Sequence, residues 1–301
     1  MQQEPIILSS QQVDRTKWDA CINNSSNGLI YATCDYLDHM ADNWSGIVVN
    51  DYEAVMPVPW RKKLGIKYCY HVPFIQQLGL FSSAKTHRPE NMVHILTGFV
   101  SYGDYFFNYG NDVPGLVNDC INYILPLNCS YAILEASFAT DILQDMKKAS
   151  SFGLKLMPGS VSEAIGMYKE LYSKRMPHVT SEDYRRFEQL AHQLEKQHKT
   201  RCYKVIANTG KTVAVSLLLR DADRLYNIIN AVTIEGREVK ANHFLLSNIW
   251  KEFENSGLIF DFEGSDIPAI KAFYQKFGAV NQPYGLMHFN HLPSAIRWLK
   301  R

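Results

Sequence analysis

Apolar and polar positions change their period several times along the chain, and each change marks an element. In the first half, Asp14 to Asn23 and Cys34 to Asn43 predict helices. Gly46 to Asn50 is an apolar run closed by Asn50-Asp51, and Ala54 to Trp60 follows it, so the two predict a hairpin. Ile66 to Phe81 is aromatic and rich in strand formers, broken by Pro73 and Gly79. Tyr105 to Tyr109 predicts a short strand, Leu116 to Leu125 a helix, and Tyr131 to Glu135 a buried strand. In the second half, Ala164, Ile165, Tyr168, Leu171 and Tyr172 share one helical face between Val161 and Lys174. Ser181 caps an acidic first turn and opens a helix to about Lys199. Three strands follow, Arg201 to Ala207, Thr212 to Arg220 and Leu225 to Ala231, the first two joined by Asn208-Thr209-Gly210-Lys211. A helix from Ala241 to Asn255 stops at Gly257, and a strand from Leu258 to Phe262 leads into Glu263-Gly264-Ser265. Pro268 then opens a helix that ends at Phe277-Gly278. This order predicts an α/β (α+β) fold, a mixed sheet with helices on both faces.

The two halves resemble each other. Glu135-Ala136-Ser137 aligns with Glu263-Gly264-Ser265 at an offset of 263 − 135 = 128. The same offset puts Leu116 to Leu125 on Phe244 to Phe253 and Tyr131 to Leu134 on Ile259 to Phe262. Phe152-Gly153 meets Phe277-Gly278 after a further shift of three residues. The pattern predicts two tandem domains, residues 1–155 and 156–301, meeting at the Pro158-Gly159-Ser160 punctuation. It also predicts that residues 113–153 superpose on 241–278.

Composition supports two ordinary cores, with 46% hydrophobic and 20% charged residues in 301. The 31 basic and 30 acidic residues leave a net charge of +1, without the basic excess of a DNA-binding protein. The six cysteines show no C-x-x-C spacing and read as reduced thiols. His192 with His198 and His288 with His291 are the closest histidine pairs, but nothing completes a ligand set, so no metal is expected. Val213 to Leu219 is too short to span a bilayer, and the first residues lack a basic-then-apolar leader, so a soluble cytoplasmic protein is expected. Neither a G-x-S-x-G elbow nor a P-loop is present.

The segment Ala272-Phe273-Tyr274-Gln275-Lys276-Phe277-Gly278-Ala279 is similar to the late helix of the acyl-CoA N-acyltransferase (GNAT) superfamily, where a Tyr lies four residues before the Gly of a Phe-Gly or Gly-Phe pair. Asp261 to Ser265 with Phe277-Gly278, and Pro57, Pro73 and Gln77-Leu78-Gly79 in the first half, resemble the Fem-like branch. That branch is built from two GNAT domains and includes peptidoglycan aminoacyltransferases. The resemblance implies two tandem GNAT-like domains and transfer of an acyl group from acetyl-CoA or another acyl-CoA to a small-molecule or peptide-like amine. Two alternatives stand beside it: aminoacyl transfer from tRNA to a cell-wall precursor, and a non-enzymatic ligand-binding scaffold. GNAT enzymes hold the CoA pyrophosphate at the start of the central helix with a Gln/Arg-x-x-Gly-x-Gly/Ala turn. The stretch Ile234 to His243 corresponds to it, with one glycine, and offers Arg237, Lys240 and open backbone N–H groups.

Acyl transfer to an amine needs a base for the ammonium proton and an acid for the leaving group. Tyr274 is the candidate acid, or else a core aromatic beside Phe273 and Phe277. Glu263, at the end of a strand with Gly264 next to it, is the candidate base, or else a cap acting with Ser265 or Asp266. Asp261, inside the strand, reads as structurally paired. Asn230, Asn242 and His243 join Arg237 and Lys240 as candidate donor-binding residues, with an N-cap role preferred for Asn242. At the Phe-Gly landmark Tyr274 aligns with Ala149, so the first domain, which keeps Glu135 as the matching strand-end carboxylate, is expected to be non-catalytic and the second catalytic.

Overall fold

The computed structural model describes residues 4–84, 87–115, 117–264 and 267–298. Leu116, Ser265 and Asp266, each of which has a place in the sequence reading, lie outside that set. The chain forms two compact units, Met1–Cys120 with Pro283–Arg301, and Ile121–Gln282.

The first unit begins with β1 (Ile6–Ser9), α1 (Arg15–Asn24), α2 (Cys34–Met40) and the hairpin β2 (Trp44–Val49) and β3 (Ala54–Pro59). It continues through β4 (Arg61–Lys63), β5 (Ile66–Tyr68), β6 (Phe81–Ser82), α3 (Pro89–Phe99), β7 (Tyr102–Phe107) and β8 (Asn118–Cys120). The second unit opens with β9 (Tyr123–Pro126), α4 (Tyr131–Ala136) and α5 (Thr140–Ser151), then β10 (Lys155–Pro158), α6 (Val161–Tyr172) and α7 (Ser181–Lys196). Three long strands follow, β11 (Thr200–Ile206), β12 (Thr212–Arg220) and β13 (Arg224–Val232). The unit ends with α8 (Ile234–Glu238), α9 (Ala241–Glu252), β14 (Ile259–Asp261), α10 (Pro268–Gln275) and β15 (Val280–Asn281). The chain then returns to the first unit with β16 (Tyr284–Asn290) and α11 (Ser294–Arg297).

The first unit contains the sheet β1-β2-β3-β6, the sheet β7-β16-β8 and the small hairpin β4-β5. The second unit is one mixed sheet in the order β10-β11-β12-β13-β14-β9-β15. Its neighbours are antiparallel except β13 and β14, which run parallel. Leu218, Leu225 and Phe260 from the sheet meet Leu245 and Trp250 of α9 and Phe277 after α10 in its core. Trp250 stands edge-on to Phe277 at 5.0 Å and to Phe138 at 5.8 Å. Such aromatic pairs add about 0.5–1.5 kcal/mol each beyond the area they bury. Helix α7 starts from a capping box between Thr180 and Asp183, so the cap is Thr180, one residue before the expected Ser181. Among the described residues no helix is long and apolar enough to cross a membrane.

Two elements differ in kind from the sequence reading. Residues 118–126 form strands β8 and β9 in place of a helix. Strand β9 lies between β14 and β15 with Tyr123, Ile124 and Leu125 all buried, and a strand covered on both faces shows a continuous apolar run with no period to separate it from a helix. Tyr131–Ala136 is helix α4 in place of a strand. Its buried positions, Tyr131 and Leu134 and then Phe138, recur at three and four residues, and Ala, Leu and Glu favour helix. Glu135 therefore sits within a helix, not at a strand end, and Ala149 belongs to the core of the second unit. The asymmetry drawn between Glu135-Ala149 and Glu263-Tyr274 compares two places in one unit.

The chain does repeat, at a different offset. The series β1, α1, α2, β2, β3, then α3 and β7, returns as β10, α6, α7, β11, β12, then α9 and β14. First residues of matched strands differ by 155 − 6 = 149, 200 − 44 = 156 and 259 − 102 = 157. Lys155, beside the expected boundary, is where the second series starts, while the edges of the compact units lie at 120/121 and 282/283.

Candidate functional site

The chemistry of the second unit gathers where its two parallel strands part. Strand β13 pairs with β14 at Arg224↔Ile259, Leu225↔Phe260 and Tyr226↔Asp261, and there β14 ends. Strand β13 runs on to Val232 with β12 still on its other side, from Leu217↔Ile229 to Ala214↔Val232. Its edge beyond Tyr226 is thus open towards the mouth of a cleft.

A buried ion pair closes the base of that mouth. The Asp261 carboxylate receives the Arg224 guanidinium, with the two side chains 1% and 3% exposed. Asn122 Nδ2 donates to Asp261 Oδ2 at 3.2 Å, and the Glu263 N–H donates to Oδ1 at 2.9 Å. Arg224 spends a second N–H on Gln282 Oε1 at 2.9 Å. Charges this deep persist only when paired and hydrogen-bonded, so Asp261 is a structural anchor. What it anchors is the next turn, in which Glu263 and Gly264 both take left-handed φ, 65° and 61°. For a residue with a Cβ that conformation costs roughly 1–2 kcal/mol, and the bond from Asp261 helps to hold it.

Tyr274, on α10, lies against Phe262 at 4.2 Å between ring centres and near Tyr123 at 6.2 Å. Among the described residues its hydroxyl has no hydrogen-bond partner. Burial, then the phenol of Tyr168, the carboxylates of Glu263 and Asp261 and the phenol of Tyr172, push its pKa well up, so it stands as a neutral donor. The same interaction brings two residues that the sequence reading gave no role. Tyr168 is pushed up to about 12 by burial, then by Tyr184, Tyr172 and Glu263. Tyr172 accepts the Val232 N–H at 3.4 Å, at the far end of the open edge. Tyr168 and Tyr172 are one helical turn apart on α6 and pack edge-on at 5.3 Å. Their i, i+4 spacing is visible in the sequence but reads there as an ordinary buried face. Glu263 and Tyr274 are thus brought together, with two further tyrosines beside them.

The candidate donor-binding residues divide into separate settings. Asn230 on β13 donates from Nδ2 to Asn242 Oδ1 at 3.0 Å. Asn242 is the second residue of α9, while the N-cap is Lys240 at φ 58°, with no side-chain cap. The preferred cap role for Asn242 is therefore replaced by a bond across to the sheet. Lys240 Nζ lies 2.8 Å from the Asp145 carboxylate of α5, and His243 Nε2 lies 3.7 Å from it. His243 packs against Phe273 at 5.2 Å, and burial pushes its pKa down to about 4, leaving the ring neutral. Arg237, on α8, is exposed and has no carboxylate partner among the described residues. Gly236 is there for space, since a Cβ would stand 2.3 Å from the Val213 carbonyl oxygen. At the start of α9, the N–H groups of Ala241, Asn242 and His243 meet no acceptor among the described residues. Those three donors and Arg237 fit a phosphoester; Lys240 is already matched to Asp145.

Residues 137–268 match the family model described as the acetyltransferase (GNAT) domain. No curated protein matches the chain. Among solved structures, FemX is similar over 99% of this chain and 100% of its own, with 13% identity and a TM-score of 0.67. A tandem GNAT protein from the clavulanic acid biosynthesis pathway is similar over 97% and 100%, with 9% identity and a TM-score of 0.54. L-PGS from Bacillus licheniformis is similar over 95% of both chains, with 10% identity and a TM-score of 0.53. At these identities the likeness is one of fold.

Proposed function

The chain carries a GNAT domain within a tandem, Fem-like fold, and from that premise we propose that it transfers an acyl group from an acyl-CoA to an amine. The observation that carries this reading is the parting of β13 and β14, just beyond which Glu263 lies near enough to Tyr274 for its carboxylate to act on that phenol. Glu263 takes the proton of the acceptor ammonium, freeing the nitrogen lone pair for attack on the thioester carbonyl. The open edge of β13 offers backbone groups to the amides of an extended donor arm. As the C–S bond breaks, Tyr274 gives its proton to the departing sulfur and regains one from the new amide nitrogen, while Glu263 returns its own to water. The backbone donors at the start of α9, with Arg237, hold the phosphoester end of the donor. Acyl-CoA is a cytoplasmic metabolite, so the reading puts the protein in the cytoplasm, acting on a small or peptide-like amine.

Calorimetry with acetyl-CoA and longer acyl-CoAs tests the donor. Saturable binding that weakens about tenfold or more in Arg237→Ala, the loss expected for one charged phosphate contact, supports the reading. Absence of binding by every acyl-CoA refutes it and returns the choice to aminoacyl-tRNA or to a scaffold role.

A further inference from the structure

A second cavity, of about 480 Å³, lies in the same unit between α4, α5 and α9. No residue of β13, β14, α6 or α10 lines it, so it is separate from the mouth described above. Leu143 and Met146 of α5 and Phe244 of α9 give it an apolar wall. Glu135, Lys147 and Lys251 bring one negative and two positive groups from three different helices. Neighbouring Lys148, Lys240 and Lys276 are each matched to a carboxylate of α5. Glu135, Lys147 and Lys251 have no ion-pair partner among the described residues, although all three line one cavity.

Tyr131 of α4 is buried, 7% exposed, and adjoins the cavity lining. The groups that act on that phenol are Glu135 and Ser247, both in the cavity lining, and Lys251 Nζ stands 4.7 Å from its ring centre. The charge pattern selects the ligand. A simple anion would meet Glu135, and a simple cation would meet the two lysines. A molecule with both charges satisfies all three, and the volume is that of a small-molecule site.

We propose that this cavity binds a zwitterionic amino acid with an apolar side chain, free or as a short peptide. Its ammonium pairs with Glu135, its carboxylate with Lys147 and Lys251, and its side chain lies on Phe244, Leu143 and Met146.

The test is a calorimetric titration of the full chain with L-leucine, L-leucyl-L-leucine, N-acetyl-L-leucine and L-leucinamide. At least one zwitterion binds saturably, and each blocked analogue binds about tenfold or more weakly than leucine, as expected for one lost charge-assisted contact. Tighter binding of leucine assigns the site to the free amino acid, and tighter binding of the dipeptide to a peptide. Glu135→Gln removes the discrimination against N-acetyl-leucine alone. Lys147→Gln with Lys251→Gln removes the discrimination against leucinamide alone. Lys147 and Lys251 are exposed, so this second variant keeps the fold and remains informative should Glu135→Gln disturb α4. Failure of both zwitterions to bind, equal binding of the blocked analogues, or unchanged discrimination in the variants overturns the proposal.

Discussion

Asp261→Asn keeps the shape of the side chain at the base of the cleft and removes its charge. Arg224, 3% exposed, is then a buried cation without its carboxylate, though it keeps the bond to Gln282 Oε1 at 2.9 Å. Removing one member of a buried pair costs about 3–5 kcal/mol. The retained Gln282 bond, and an Asn Oδ1 that can still accept from the Glu263 N–H, put the loss at the lower end, about 3 kcal/mol, or roughly a hundredfold in the folding constant. For a unit of this size, at roughly 2–4 °C per kcal/mol, the expected drop in Tm is about 6–12 °C. A chain of two units need not melt in one step, so amide exchange at Leu225 and Phe260, where β13 meets β14, should be read beside the thermal scan. Arg224→Met with Asp261→Leu removes both charges and takes one neutral hydrogen-bond partner each from Asn122, the Glu263 N–H and Gln282 Oε1, a cost of about 1–3 kcal/mol. The double variant is therefore no less stable than the single one. A shift under about 2 °C for Asp261→Asn, or a double variant clearly worse than the single, would refute the assignment of Asp261 as anchor.

Other outcomes follow from the same geometry. Tyr274→Phe keeps the contact with Phe262 and loses the proton, so thiol release should slow by about 10²–10⁴-fold with an unchanged melting curve; full turnover would make Tyr274 a core aromatic. Glu263→Gly removes the base and relieves the left-handed strain, which exceeds the added chain entropy of glycine, so turnover should fall while stability stays level or rises by up to about 1 kcal/mol in denaturant titration. His243 is held neutral when folded, with its pKa near 4 against 6.5 in the unfolded chain. Below pH 6.5 the unfolded chain binds the extra proton, so stability should decline between pH 6.5 and 4, and His243→Gln should flatten that part of the profile; an unchanged profile would place the titration elsewhere.

Much of the second unit is legible in its sequence. Helices α6, α7 and α9, the three strands β11, β12 and β13, and the strand before Glu263 all lie within a few residues of their expected places, because each has a clear period, cap or turn. The first series is harder to read. Helix α3 announces itself only by Pro89, and β9 looks helical because both its faces are covered. The false offset of 128 rested on that strand and on α4, where a shared Glu-small-Ser triplet outweighed the period of the flanking residues. At the site, Glu263 and Tyr274 were legible as a strand end and a helix position. The match of Lys240 to Asp145 was not, because 95 positions separate them (240 − 145) and only the packing of α5 on α9 joins them.

The ends of the second unit lie side by side. Strand β15 pairs with β9 at Val280↔Ile124 and Asn281↔Tyr123, and the Gln282 N–H donates to the Asn122 carbonyl at 2.8 Å. A stretch whose two ends meet in this way has the topology of an insertion, spliced into a host chain at a single point. The host is completed only by β16, whose His288 pairs with Asp104 across a separation of 184 residues. Closing a flexible loop of that length would cost roughly 4–5 kcal/mol and would delay the pairing. Once residues 121–282 have folded, that loop has shrunk to a short tether, with Cys120 opposite Tyr284 in register. The inserted unit thereby acts as an internal splint for its host, whose completing strand is also the last of the strands to be synthesised.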